Sequence, residues 1–187
     1  ISILDEVIGI HGVENGPGIR TRTLANAYIE RGYILHDRWE DGILSEGRLP
    51  WIRDPQRDNF DDLDRAISDK EQARKIIYSD SGLRKDKALV ARILITLSYS
   101  HFYRGARANA LQGIKKAVEL LRDVSGKQAS AKSELDLALA INSWGFFLDD
   151  IGRRRQDAED ALKLKKEALE IRRRLLPNNH MDLARSL

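Results

Sequence analysis

The sequence predicts an all-α protein built from stacked pairs of antiparallel helices, and three observations lead to this fold class. Apolar and small residues recur three and four positions apart, which is the spacing of one helix face. Strict alternation of apolar and polar residues, the pattern of a half-buried strand, is absent from the sequence. Three similar segments centred on Ala91, Ala138 and Ala184 are 47 and 46 residues apart. A period of this kind is typical of helical repeats that stack on one another.

The composition is that of a soluble, foldable chain. Of its 187 residues, 33% are charged and 42% are hydrophobic, and the formal net charge is +3. The chain has no cysteine, which excludes disulfides, thiolate zinc sites, cysteine-ligated iron–sulfur clusters and cysteine nucleophiles. Its longest apolar stretch, residues 88–99, is too short to cross a bilayer. We therefore expect a cytoplasmic protein without membrane contact, and a chain that is a piece of a longer one because it begins at Ile1 and ends at Leu187.

Residues 1–57 are expected to form a degenerate helical cap or an adjoining helical region. Residues 24–32 have the spacing of a first helix, but the segment after them contains Gly42 and lacks a pair of alanines. Pro50 and Pro55 then make a regular helix unfavourable in the segment that follows.

The rest of the chain is predicted to consist of helix pairs. We expect the second helix of one repeat at residues 58–78, complete repeats at 86–124 and 133–176, and the start of a further repeat at 181–187. In each complete repeat the first helix ends at a glycine, and the second carries two alanines seven positions apart. Antiparallel helices approach closely only where side chains are small, so these alanines should lie between helices. They are Ala110 with Ala117 and Ala161 with Ala168.

The last helix and the loop after it carry a further pattern. Residues 168–171 read Ala-Leu-Glu-Ile, and Pro177, His180 and Asp182 follow them. This pattern resembles the tetratricopeptide repeat, in the long-repeat subclass typified by kinesin light chains, and the resemblance extends over residues 88–187. It implies a right-handed α-solenoid, a tetratricopeptide-like superhelix whose concave surface binds peptide ligands.

The helix face that turns towards such a concave surface supplies the candidate peptide-binding residues. They are Arg92, Thr96, Tyr99, Tyr103, Asn142, Ser143, Phe146 and Asp149. In the related family an asparagine on the first helix commonly contacts the peptide backbone; Ser143 stands at that position here, and Asn142 precedes it. For Tyr99 and Phe146 an alternative interpretation is packing against the neighbouring repeat.

These observations predict a protein- or peptide-binding scaffold and not an enzyme, with no metal and no cofactor. The four histidines form no pair with metal-ligand spacing, and the sequence has neither a phosphate-binding loop nor a nucleophile elbow. The expected partners are a protein or peptide ligand and other domains of the same polypeptide. Two alternatives stay open: a sensor or regulatory segment of a larger multidomain signalling or defence protein, and a nucleic-acid-binding solenoid. Arginine runs at 153–155 and 172–174 would serve the latter, but acidic residues one helical turn away favour solvated helix faces.

Overall fold

The computed structural model describes residues 19–46, 60–127, 130–152 and 154–177, and these ranges contain helices and no strand. The all-α prediction is therefore confirmed for this part of the chain. Predictions that fall on residues 1–18, 47–59 and 178–187, such as the start of a further repeat, lie outside the described residues. The helices are α1 Ile19–Ser45, α2 Asp61–Ser79, α3 Ser81–Lys85, α4 Lys87–Arg104, α5 Arg107–Lys127, α6 Ala131–Ile151 and α7 Arg155–Leu175.

The described residues divide into two compact units. Unit 1 contains α1, α2 and α3 together with Tyr99–Ala106, which includes the end of α4. Unit 2 contains Lys87–Ser98, the start of α4, together with α5, α6 and α7.

In unit 1, α1 is one continuous helix of 27 residues that extends well beyond the residues 24–32 whose spacing predicted it. Its interior Gly32 lies against α2. A Cβ atom on residue 32 would come within 2.9 Å of Cγ of Lys70 and 3.2 Å of the carbonyl oxygen of Ala66. The glycine therefore marks a close approach of two helices and not a helix end.

The helices α1 and α2 pack against each other and run antiparallel. Arg31 pairs with Asp69 and Arg38 with Asp62, so positions that advance along α1 move backwards along α2. Their interface is mainly apolar and contains fully buried side chains of both helices. On α2 these are Leu63, Ala66, Ala73 and Ile77.

In unit 2, α5 packs against α6, and α6 packs against α7. The four alanines that were expected between helices are buried, each with an exposed fraction of 1% or less: Ala110, Ala117, Ala161 and Ala168. Glycine has the same role at two further points. A Cβ on Gly145 would lie 3.0 Å from the carbonyl oxygen of Ala161, and a Cβ on Gly113 would collide with Oγ of Ser98. Small residues thus permit the close helix contacts of this unit.

The ends of α4 and α6 coincide with glycines. α4 ends at Arg104, and the next residue, Gly105, has a φ of 95°, a left-handed conformation that favours glycine. α6 ends at Ile151, and a Cβ on the following Gly152 would lie 2.5 Å from the carbonyl oxygen of Leu148. Glycine is therefore favoured at both turns, at residue 105 by its backbone conformation and at residue 152 by the crowding around its Cβ position.

Candidate functional site

One face of α6 stays accessible in unit 2 while the other sides of this helix are packed. Leu139, Asn142, Phe146 and Asp149 follow one another at intervals of three, four and three residues, which places them on one stripe of the helix. Leu139 is 40% exposed, Asn142 and Phe146 are partly exposed, and Asp149 is exposed. These four residues are referred to as the α6 stripe. It offers two apolar contact points with an amide between them.

Ser143, which stands at the family's asparagine position, is not accessible. Its exposed fraction is 0%, and its Oγ donates a hydrogen bond of 2.7 Å to the carbonyl oxygen of Leu139. The neighbouring Asn142 is partly exposed, and among the described residues none is hydrogen-bonded to its side-chain amide. The accessible polar side chain on this turn is therefore Asn142.

The start of α4 contributes two of the predicted residues, Arg92 and Thr96, to the same unit. Arg92 is exposed, whereas Thr96 is 4% exposed and its hydroxyl donates to a carbonyl of its own helix at 3.1 Å. Arg92 lies near Asp136, one turn before the α6 stripe. Burial raises the pKa of Asp136, and the positive charges of Lys132 and Arg92 oppose this shift. The positive charge of Arg92 therefore acts on Asp136, one helical turn before the α6 stripe.

The other end of the α6 stripe carries carboxylates that are paired within unit 2. Asp149 accepts a hydrogen bond of 2.7 Å from Nζ of Lys165, and Asp150 forms an ion pair of 3.0 Å with Arg107. Both pairs are partly exposed, so water and salt screen them. Apolar contacts and hydrogen bonds, and not long-range attraction, would therefore dominate the binding of a ligand here.

The two candidate tyrosines belong to unit 1. Tyr103 is 8% exposed, and its ring centroid lies 5.5 Å from that of Trp39 and 5.4 Å from that of His36. Tyr99 is partly exposed and stacks on Tyr103 with 6.5 Å between ring centroids. Tyr103 is thus part of an aromatic cluster in the interior of this unit. Three of the eight predicted residues have buried side chains that a ligand cannot reach in this conformation: Thr96, Tyr103 and Ser143.

The arginines expected on solvated helix faces behave in two ways. Arg155 contacts Glu159 at 2.9 Å within α7, and Arg174 contacts Glu134 of α6 at 2.5 Å. Arg172, by contrast, is only 7% exposed. Because Arg172 is buried and Arg174 is paired with Glu134, the run at 172–174 does not form a continuous basic surface.

A second polar feature lies inside unit 1, and the sequence analysis did not anticipate it. Nζ of Lys70 donates a hydrogen bond of 2.8 Å to Oγ of Ser100, which lies 3.3 Å from Nδ1 of His36. Burial lowers the pKa of Lys70 to about 8. Burial, followed by the positive charge of Lys70, lowers the pKa of His36 to about 3. These three residues are referred to as the buried polar row.

A sequence signal for the buried polar row does exist at Lys70. This residue is four positions after Ala66, three before Ala73 and seven before Ile77, so it occupies the apolar stripe of α2. A lysine in such a stripe indicates a buried ammonium group or a side chain that reaches out to solvent. Its partners could not be identified from spacing, because Ser100 is 30 residues away in the chain and lies on another helix.

Within the described ranges, no group of three or more histidine, aspartate or glutamate side chains is arranged to hold a metal ion. The helices of the same ranges include none with the length and apolar character needed to span a membrane. No protein-family model matches the chain, and no curated protein or solved structure matches it either. Support for a function therefore comes from the geometry of the chain itself.

Proposed function

We propose that the chain is a helical-repeat scaffold that binds a peptide segment of another protein along the α6 stripe. The observation that carries this proposal is the accessible row of Leu139, Asn142 and Phe146 on a helix that is otherwise packed. Two large apolar side chains supply contact area for a ligand, and the amide between them can bond a peptide group and fix its register.

The arrangement of helices in unit 2 supports a tetratricopeptide-like solenoid. Unit 2 repeats one order twice: a first helix is followed by a second helix with two buried alanines. The two pairs are the start of α4 with α5, and α6 with α7. In such a solenoid the first helices of successive pairs lie side by side and line one surface. The position of Arg92 on α4 near Asp136 on α6 agrees with that arrangement.

The dimensions of the α6 stripe favour a short extended ligand. Leu139 and Phe146 are seven residues apart, which corresponds to about 10 Å along a helix. An extended peptide covers that distance with about three residues. We therefore infer a ligand with two apolar side chains separated by a short segment, whose backbone lies against Asn142.

Charge pairing favours a peptide ligand over a nucleic acid. Six of the exposed basic side chains of unit 2 already contact carboxylates, so phosphate groups would have to compete with these partners. The pairs are Lys87–Asp123, Arg122–Glu167, Arg154–Asp157, Arg155–Glu159, Lys163–Asp160 and Arg174–Glu134.

The proposal can be tested by selecting binders from a random peptide library on the purified chain and measuring their affinity by calorimetry. Leu139→Ala and Asn142→Ala are each expected to raise Kd by about tenfold or more, since central interface residues carry most of the binding energy. Leu162→Ala is the matched control, because Leu162 is a leucine of α7 that is 53% exposed and lies off the α6 stripe.

The affinity of the control variant and the melting temperatures of all three variants decide the outcome. All three variants should keep the melting temperature of the wild type, and Leu162→Ala should keep its affinity. The proposal fails if no peptide is enriched, or if the control weakens binding as much as the stripe variants do. Tight binding of nucleic acid with a steep salt dependence would favour the alternative solenoid instead.

A further inference from the structure

The buried polar row joins three helices of unit 1 that are far apart in the sequence. His36 belongs to α1, Lys70 to α2 and Ser100 to the last part of α4. Their exposed fractions are 8%, 1% and 0%. A charged amine and an imidazole thus meet at one hydroxyl group in the interior of the unit, where each polar group needs a partner.

The side chain of Lys70 is held in this position by its surroundings. Its stem lies beside Gly32, where a Cβ atom would come within 2.9 Å of Cγ and 3.1 Å of Cε. Its Nζ lies 5.3 Å from the centre of the Tyr33 ring, a favourable place for a cation. Aromatic rings also enclose His36, whose centroid is 5.9 Å from that of Trp39.

The chemistry of the three groups fixes the direction of the hydrogen bonds. An ammonium group only donates, so Oγ of Ser100 accepts from Lys70. A neutral His36 can then accept the hydroxyl hydrogen of Ser100 at Nδ1. A proton added to His36 turns Nδ1 into a donor. Two cations would then face one oxygen, and the hydroxyl hydrogen would lose its acceptor.

Charged and titratable groups around the row come from all three helices. From α1 come Tyr33, Asp37 and Arg31, the last of which is bound to Asp69. From α2 come Asp69, Glu71 and Arg74, and from α4 comes His101, which lies 3.9 Å from Glu71. Asp37 and Asp69 favour the charged form of Lys70, although burial outweighs them. Both causes that act on His36, burial and the charge of Lys70, oppose its protonation.

We propose that the buried polar row is an acid-sensitive latch: it holds residues 99–104 of α4 against α1 and α2 while His36 is neutral, and proton uptake by His36 releases this segment. The latch is independent of the proposed peptide binding, because the α6 stripe belongs to unit 2. Ser100, Tyr103 and Arg104 make the contacts that would be lost, to Lys70, Trp39 and Asp64.

The sign and size of the effect follow from the pKa of His36. It is lowered to about 3 in the held form and returns towards 6.5 when the imidazole reaches water. The released form therefore binds the proton more tightly, and falling pH favours it. Between these two values the ratio of released to held molecules rises by up to about tenfold per pH unit, and by less close to pH 6.5. Carboxylates titrate mainly below about pH 5, so the range from about pH 6.5 to about pH 5 reports chiefly on the histidines.

Amide hydrogen exchange of residues 99–104, corrected for the intrinsic pH dependence of exchange, measures the release directly. In the wild type the opening constant should increase roughly tenfold between about pH 6.5 and about pH 5. His36→Asn keeps a polar atom near the position of Nδ1 and does not titrate, so its opening constant should rise far less over this range, with only the dependence that His101, whose pKa burial also lowers, contributes. His101→Asn removes a titratable neighbour on the same segment and should keep most of the wild-type pH dependence. The amides of α6 and α7 serve as an internal reference.

Equal pH dependence in the wild type and His36→Asn would overturn the proposal, and so would a dependence that disappears with His101→Asn. A second measurement covers the case in which a variant does not fold. The ring resonances of His36 in the folded wild type should not titrate above about pH 5, given the lowered pKa. A histidine at residue 36 that titrates near its ordinary pKa of 6.5 would contradict the latch without any substitution.

Discussion

Gly32 and Lys70 lie against each other where α1 meets α2, and a methyl group on residue 32 would come within 2.9 Å of the lysine Cγ. Glycine inside a helix costs about 0.5–1 kcal/mol relative to alanine. The chain nevertheless has glycine at this point, because the stem of a buried lysine and the backbone of α2 occupy the space that a Cβ would need. A substitution at residue 32 therefore also tests how closely Lys70 packs against α1.

The first prediction concerns the two interior glycines of α1. Gly32→Ala is expected to destabilise the protein relative to Gly42→Ala by about 1–3 kcal/mol, because the added methyl group overpacks the contact with Lys70 and Ala66. Gly42→Ala should instead stabilise by about 0.5–1 kcal/mol, since nothing lies within 4 Å of its Cβ position and alanine is the better helix former. Urea denaturation followed by circular dichroism measures both. Equal stabilisation by the two substitutions would show that the helices do not approach at residue 32.

The second prediction concerns the buried ammonium of Lys70. Its pKa is lowered from 10.5 to about 8, so the folded state loses this proton before the unfolded chain does. The stability of the wild type should therefore rise with pH between these two values. Lys70→Met removes the charge and keeps most of the volume, and we expect it to be more stable at pH 7 by about 1–3 kcal/mol.

The advantage of Lys70→Met should shrink as the pH approaches 10.5, where the wild-type lysine is neutral in the folded state and half deprotonated in the unfolded chain. Lys75→Met on the same helix is the control, because Lys75 is exposed and should change stability little at any pH. Denaturation curves collected from pH 7 to 10.5 decide the matter. A constant difference between wild type and Lys70→Met across this range would mean that the ammonium group is not buried when the protein is folded.

The packing of unit 2 could be predicted from the sequence because it depends on residue size. Ala110 and Ala168 are buried as their spacing indicated, since alanines seven positions apart return to the same helix face. Polar residues at the same spacing are less informative. Thr96 and Ser143 are small enough to lie inside, where each hydroxyl bonds a carbonyl of its own helix. The spacing of residues in the sequence does not give the rotation of the helix about its own axis. It therefore cannot separate such buried polar residues from accessible ones.

The interior of unit 1 could not be predicted for a different reason. Gly32 and Gly42 have the appearance of helix breakers in the sequence, yet α1 passes through both. Glycine at residue 32 is explained only by Lys70, which is provided by another helix. The buried polar row likewise depends on three helices that come together in the folded chain, and no local spacing links His36 to Ser100.

The third prediction tests the alanine contacts of unit 2. Ala110→Leu is expected to cost on the order of 1–3 kcal/mol, because Ala110 is 0% exposed and the added side chain must displace its neighbours. Ala108→Leu, two residues earlier on the same helix, is the control because that position is exposed. It should leave the thermal midpoint almost unchanged. Similar midpoints for the two variants would contradict the packing of α5.

The fourth prediction separates the two adjacent polar residues of α6. Ser143→Ala should leave peptide affinity unchanged and alter the free energy of unfolding by less than about 1 kcal/mol, because its hydroxyl is buried and bonds the carbonyl of Leu139 within the same helix. Asn142→Ala should do the opposite and reduce affinity while stability stays constant, because its amide is partly exposed. Calorimetric binding of a selected peptide and thermal denaturation, carried out on both variants, distinguish the two roles. If Ser143→Ala weakens binding and Asn142→Ala does not, then α6 is rotated in the complex, and the ligand contacts a face other than the α6 stripe.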